Sequence, residues 1–295
     1  MMSMGVISKL KLSEDYSYLF PHHRYGWRRA IQEIEKETNS SGYVYLEPFT
    51  ERVFGYNRED KRRTEIYKKE PWIAFVHEPA TTAIQGSALS VLLHTEDFKK
   101  CLPNLKGIFC LTENQKESYK NYSQLNNIPI SVLKYPTEYN VPKWDKEKLT
   151  YNIYEVGSHY RIPILKDLRL KAANQRILLN KKEKTITDKE YDLILSNSLI
   201  VVNYTYNVAA STTIVECLAS NNPLFVNKTK SVIEYLGEDY PNYYEKKFEL
   251  YRLFLNKTKL DKKIVLANEY LKKKRPLTYD NFIQDIINSE VYNCI

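Results

Sequence analysis

Short apolar runs rich in β-branched and aromatic residues recur along the chain, each closed by a turn or a polar residue. In the first half they are Ser41 to Phe49, Pro71 to Pro79, Lys106 to Thr112 and Pro129 to Pro136. Between them lie stretches with apolar positions three and four apart, including Arg24 to Thr38 and Glu113 to Leu125. A period near two predicts strands and one near 3.6 predicts helices. Their alternation predicts an α/β domain with a mainly parallel sheet. Thr137 to Thr150 is polar, carries a proline and reads as a linker. A second alternation follows: a strand from Tyr151 to Gly157, a helix over Pro163 to Asn174, a strand from Arg176 to Asn180, a helix from Asp188 to Asn197, and a strand-helix-strand unit between Leu199 and Val226. Beyond Val226 the pattern reads as helical to the end, with amphipathic segments from Tyr243 to Leu255 and from Lys262 to Lys274. The fold class expected is α/β: two Rossmann-like domains, 1–140 and 141–295, the second carrying the C-terminal helices. They would face each other across a cleft, a preferred place for a ligand.

Composition agrees with packed cores, since 43% of the 295 residues are hydrophobic and 13% aromatic. A net charge of +8 and a pI near 9.0 point to anionic partners: nucleic acid, an acidic membrane surface or phosphorylated small molecules. The four cysteines have no C-x-x-C spacing, so neither zinc nor a disulfide framework is expected. No segment reads as a signal peptide, and none reaches the roughly 18 apolar residues of a membrane span. The expected setting is cytoplasmic, with the positive balance suiting a peripheral position at a membrane. The basic run Lys272 to Arg275 precedes Pro276 and reads as a solvated helix end rather than a nucleic-acid site.

The candidate chemistry sits where predicted strands give way to helices, the edge at which ligands collect in parallel sheets. Phosphate-loop, dinucleotide-fold and nucleophile-elbow glycine patterns are absent, which disfavours P-loop nucleotide hydrolases and classical dehydrogenases. In "ASTTIVECLASNNPLFV" the small residues Ser211, Thr212 and Thr213 open a helix whose N-H groups suit an anion. Glu216 has two readings: a ligand contact, or the acidic end of a capping box, Thr213-x-x-Glu216. In "VGSHYRIPILK", Gly157 and Ser158 permit close backbone approach, and Arg161 and Lys166 suit a diphosphate; the other reading is a loop with surface charges. In "FVHEP", His77 follows an apolar strand as either a structural or a site histidine. Tyr25 and Gly26 in "PHHRYGW" form a substrate-facing loop or an ordinary helix entry. No third ligand at metal spacing accompanies the paired histidines, and no metal is expected.

In this order "FVHEP", "GIFCLTENQKESYKN", "ISVLKYPTEY", "VGSHYR" and "STTIVECLASNNPLFVNKTKSVIEYLG" resemble glycosyltransferases of the two-domain GT-B fold, especially the retaining, metal-independent group 1 (GT4-like) type. The resemblance implies that Glu216 holds the ribose hydroxyls of a sugar nucleotide and that Ser211, Thr212 and Thr213 bring N-H groups to its phosphates. It implies that Arg161 and Lys166 offset charge on the leaving diphosphate, that His77 contacts the donor sugar, and that Gly157 and Ser158 lie against the diphosphate. Tyr25 and Gly26 would lie on the acceptor side. The implied donor is a UDP- or GDP-type nucleotide sugar; no cofactor or metal is implied, and the acceptor is a glycan, lipid or protein. Eight residues before Glu216, where the family often has a second glutamate, stands Val208. That departure motivates the alternative, a catalytically inactive GT-B-like binding or scaffold protein.

Overall fold

The computed structural model describes residues 7–13, 27–38, 41–56, 61–81, 88–137, 141–155, 187–204, 209, 211–275 and 277–295. Two compact units emerge: Met1–Pro136 with Leu277–Ile295, and Thr137–Pro276.

The first unit runs β1 (Leu10–Leu12), α1 (Trp27–Glu37), β2 (Val44–Glu47), α2 (Lys61–Tyr67), β3 (Trp72–Phe75), α3 (Leu89–Leu92), α4 (Glu96–Cys101), β4 (Leu105–Cys110), α5 (Glu113–Tyr119) and β5 (Ile130–Val132). The strands pair side by side in that order, all parallel. Every residue of β3 is buried, as a central parallel strand covered on both faces requires. Helix starts follow local chemistry: the Thr95 and Thr112 hydroxyls accept the N-H groups of Phe98 and Gln115. Trp72, Tyr67, Phe54 and Phe98 meet as an aromatic cluster beneath α2 and α4, with the Tyr67 and Trp72 rings stacked 4.9 Å apart. At the carboxyl end of β2, Glu47 is fully buried and accepts hydrogen bonds from Arg63 Nη1 (3.2 Å), Tyr67 Oη (2.8 Å) and the Phe49 N-H (2.8 Å). Burial pushes its carboxyl above the ordinary value of 4.5, against the pull of Arg63.

The second unit continues with β6 (Ile153–Glu155), α6 (Asp188–Asn197), β7 (Leu199–Val202), α7 (Thr212–Ser220), β8 (Phe225–Asn227), α8 (Lys230–Leu236), β9 (Tyr243–Tyr244), α9 (Lys247–Phe254) and α10 (Lys257–Lys272). Among the described residues its sheet has the parallel order β6-β7-β8-β9. The helix predicted over Pro163 to Asn174 and the strand over Arg176 to Asn180 lie outside the described residues. Tyr243 and Tyr244 read as the start of a helix, but they pair with Val226 and Asn227, and the Tyr244 hydroxyl donates to the Val202 carbonyl (2.9 Å). Tertiary pairing overrides a helical period there. The predicted linker is anchored as well. Trp144 is buried, its backbone N-H donates to the Ser220 carbonyl (2.7 Å), and its indole N-H donates to the Ser198 carbonyl (3.2 Å).

The chain ends with α11 (Tyr279–Ile287) and α12 (Glu290–Asn293), which return to the first unit. The predicted boundary near residue 140 assigns these helices to the second domain, and the structure corrects that assignment. Gly107 in β4 supplies the physical reason: a Cβ there would lie 2.4 Å from Val291 Cγ1, so α12 seats in the space that a side chain would fill. The Val291 N-H donates to Ser131 Oγ (3.2 Å) in β5, and Lys9 Nζ donates to the Ile295 carbonyl (2.8 Å). Gly107→Ala should destabilise the protein by about 1–3 kcal/mol through overpacking. Adding Val291→Ala should recover much of that loss, which urea unfolding of the single and double variants would check; equal losses with and without Val291→Ala would refute the packing argument.

Candidate functional site

Two groups of residues occupy the carboxyl ends of parallel strands, one in each unit. In the second unit, Asn227 ends β8 and brackets the exit of β7: its side chain accepts the Tyr204 N-H (2.7 Å) and donates to the Tyr204 carbonyl (2.8 Å). Tyr244 secures the Val202 carbonyl alongside. Three strand ends are thereby tied together before the chain leaves the sheet. It returns at Ser211, the buried N-cap of α7, whose side chain makes no capping hydrogen bond. Thr212 and Thr213 form the first helical positions. The helix stops where Asn221 takes the left-handed conformation (φ 57°) ahead of Pro223.

Glu216 is the fifth residue of α7, beyond the third position that a capping box requires, and Thr213 lies inside the helix rather than at its cap. The capping reading is therefore corrected. The carboxylate is 7% exposed and accepts a hydrogen bond from the Tyr191 hydroxyl on α6. The chain does build a capping box, at the start of α6: Thr187 Oγ1 accepts the Glu190 N-H (3.2 Å), and Glu190 Oε2 accepts the Thr187 N-H (2.7 Å). Ser211, Thr212, Thr213 and Glu216 thus share the first turns of one largely buried helix that follows the central strand β7. Gly157, Ser158, Arg161, Lys166 and Val208 lie outside the described residues.

In the first unit His77 follows β3, and Glu51 follows β2. The Glu51 carboxylate is fully buried; its Oε1 accepts the backbone N-H groups of His77 (2.5 Å) and Glu78 (2.7 Å), and its Oε2 lies 3.5 Å from His77 Nδ1. From α5, Gln115 Nε2 (3.0 Å) and the Tyr119 hydroxyl (2.6 Å) both donate to the Glu78 carbonyl. Burial raises the Tyr119 phenol well above its ordinary range, which keeps it a donor. The imidazole is 12% exposed among Trp27, Phe49 and Phe75, with ring centroids 4.6, 4.9 and 5.0 Å away. Tyr25 and Gly26 lie outside the described residues.

Sequence reasoning misses Glu51, Tyr191 and Asn227. Asn227 alone left a usable signal, as an amide at the end of a predicted strand, where backbone brackets are common. Among the described residues no group of three histidine, cysteine or acidic side chains could hold a metal ion, and the four cysteines are free.

No protein-family model matches the chain, and no curated protein matches it. Solved structures do. HepE of Anabaena, in complex with UDP and glucose, is 12% identical, with a TM-score of 0.59 over 83% of this chain and 77% of that one. A variant of S. aureus TarM, in complex with fondaparinux, alpha-GlcNAc-glycerol and UDP, is 13% identical, with a TM-score of 0.53 over 90% and 59%. The pneumococcal O-GlcNAc transferase GtfA, in complex with UDP and GlcNAc, is 9% identical, with a TM-score of 0.54 over 90% and 60%. This chain therefore spans under two thirds of the length of TarM and GtfA. At these identities the likeness is one of fold: two Rossmann-like α/β units with flanking helices, the GT-B architecture.

Proposed function

We propose that this GT-B chain is a glycosyltransferase of the retaining, group 1 type, moving a sugar from a nucleotide-sugar donor to a hydroxyl of a glycan, lipid or protein acceptor. The observation that carries the proposal is Glu216: a nearly buried carboxylate, no longer assignable to a cap, held by Tyr191 on the helix that follows the central strand of its sheet. A carboxylate fixed there can accept both hydroxyls of a ribose, while the N-terminal turn at Ser211, Thr212 and Thr213 favours phosphate.

In the proposed reaction the acceptor oxygen bonds to the anomeric carbon on the face from which the diphosphate departs. The bond from that carbon to the diphosphate oxygen breaks, and the acceptor proton passes to the departing oxygen. Arg161 and Lys166 offset the charge that develops there, the role that a metal plays in other enzymes. Gly157 and Ser158 lie against the diphosphate, His77 against the donor sugar, and Tyr25 and Gly26 on the acceptor side.

UDP is common to the three structures compared, so UDP-sugars head a thermal-shift panel with GDP-, dTDP- and CDP-sugars, run with and without divalent metal. One nucleotide should raise the melting temperature whether or not metal is present. No shift with any of them would return the chain to the inactive binding or scaffold reading. Product analysis with that donor then tests retention, and the inverted anomer would refute it.

Among the described residues no helix is long and apolar enough to cross a membrane. The proposal includes peripheral association at the cytoplasmic face of an anionic membrane, for which α9 is suited. Phe248, Tyr251 and Leu255, three and seven positions apart, are exposed, with Lys246 and Arg252 beside the Phe248 ring. Vesicles containing anionic lipid should sediment with the protein and neutral vesicles should not. Equal sedimentation with both would count against it.

A further inference from the structure

The carboxyl edge of the first sheet holds a histidine whose outer ring nitrogen is buried and makes no hydrogen bond. His77 Nε2 has no partner, while Nδ1 faces Glu51 Oε2 at 3.5 Å. Glu51 is fully buried, and its hydrogen-bond partners are His77 and Glu78; among the described residues no lysine or arginine pairs with it. A carboxylate with both oxygens turned toward one histidine and its backbone constrains where the ring hydrogen resides.

We propose that Glu51 is the positioning residue for His77: it keeps the ring hydrogen on Nδ1 and leaves Nε2 as a bare lone pair, an acceptor for a hydroxyl of the transferred sugar. The use of that acceptor rests on the donor-site reading above; the tautomer does not. A hydrogen on Nδ1 has Glu51 Oε2 as its acceptor. A hydrogen on Nε2 would strand a buried donor and set the Nδ1 lone pair against a carboxylate, two unfavourable contacts in place of one favourable one. Neighbouring groups hold the ring in that orientation. Trp27, Phe49 and Phe75 pack around it, and Trp27 is itself fixed by its indole N-H donating to the Pro48 carbonyl (2.5 Å). The Glu78 carbonyl bonds to Gln115 and Tyr119 fix the turn that follows. The site is thus a rigid acceptor for a hydroxyl donor.

The isosteric variant Glu51→Gln reverses the polarity. Its amide oxygen retains the two backbone N-H bonds, and its NH2 then faces Nδ1, so the ring hydrogen moves to Nε2 and the acceptor becomes a donor. Two-bond 1H–15N correlation spectra of the imidazole, assigned by the cross-peak missing in His77→Gln, read this without any ligand. The wild type should show the Nδ1-H pattern and Glu51→Gln the Nε2-H pattern, with melting temperatures within a few degrees. Calorimetry with the nucleotide sugar from the panel, and with its nucleoside diphosphate alone, forms the second arm. The diphosphate should bind both proteins within about twofold, while the extra affinity contributed by the sugar should fall at least fivefold in Glu51→Gln. An Nε2-H or doubly protonated ring in the wild type, or no change of tautomer in Glu51→Gln, would overturn the assignment. A tautomer that switches while the sugar increment stays constant would leave the dyad standing and overturn instead the placement of His77 on the donor sugar.

Discussion

Glu216→Ala should abolish the rise in melting temperature produced by the matching nucleotide sugar and weaken donor binding at least tenfold, about 1.4 kcal/mol or more. Hydrogen bonds to a charged group contribute about 1.5–3 kcal/mol each, and a carboxylate spanning two ribose hydroxyls makes two. The ligand-free variant should stay folded, since alanine suits a helix interior and the lost native contact is the bond from the Tyr191 hydroxyl. Tyr191→Phe separates orientation from binding: it leaves the carboxylate and removes its holder, so its loss should be smaller than that of Glu216→Ala. A donor-dependent shift that survives in Glu216→Ala would remove the ribose role and with it the main support for the proposed activity.

Arg63→Met should be the most destabilising single change in the first unit, by about 3–5 kcal/mol at neutral pH, because it leaves the fully buried Glu47 carboxylate without its cation. The Glu47→Leu/Arg63→Met pair, which removes both charges, should lie much closer to the wild type. The pH dependence has a definite sign. Burial already raises the Glu47 carboxyl above 4.5, and Arg63 is the largest opposing influence. Without Arg63 the folded protein holds that proton more tightly still. The stability attached to this proton is fully present below the unfolded value near 4.5 and is lost as pH rises through the folded value. The deficit of Arg63→Met should therefore be small near pH 4 and grow toward neutrality. Urea titrations of the three proteins across that range would show it; a deficit independent of pH would mean that lost packing, not the stranded charge, is responsible.

Much of the architecture was legible in periodicity. The helix from Asp188 to Asn197 coincides with α6, and the apolar runs at Trp72 to Phe75 and Leu199 to Val202 form central strands, because burial on both faces writes a continuous apolar signature. Tyr243-Tyr244 was not legible, since two residues paired at a sheet edge carry no period of their own. Nor was the return of α12, which depends on a missing side chain at Gly107 far away in sequence. At the site, Glu216 stood out as an acidic residue in an apolar helix. The sequence left cap and ligand contact open because S/T-x-x-E fits both, and the choice turned on where the helix begins. Glu51 was invisible: "FTERVF" reads as an ordinary helix entry, and only the fold brings it beneath His77.

The return of the last two helices to the first sheet sets an order of maturation. β4 and β5 are made early, yet the side chains that cover them, among them Phe282, Ile286 and Val291, emerge only after the whole of the second unit. On the ribosome the unit that begins second can finish first, while the early sheet waits with an apolar face open. That waiting face is where chaperones and misassembly compete during synthesis.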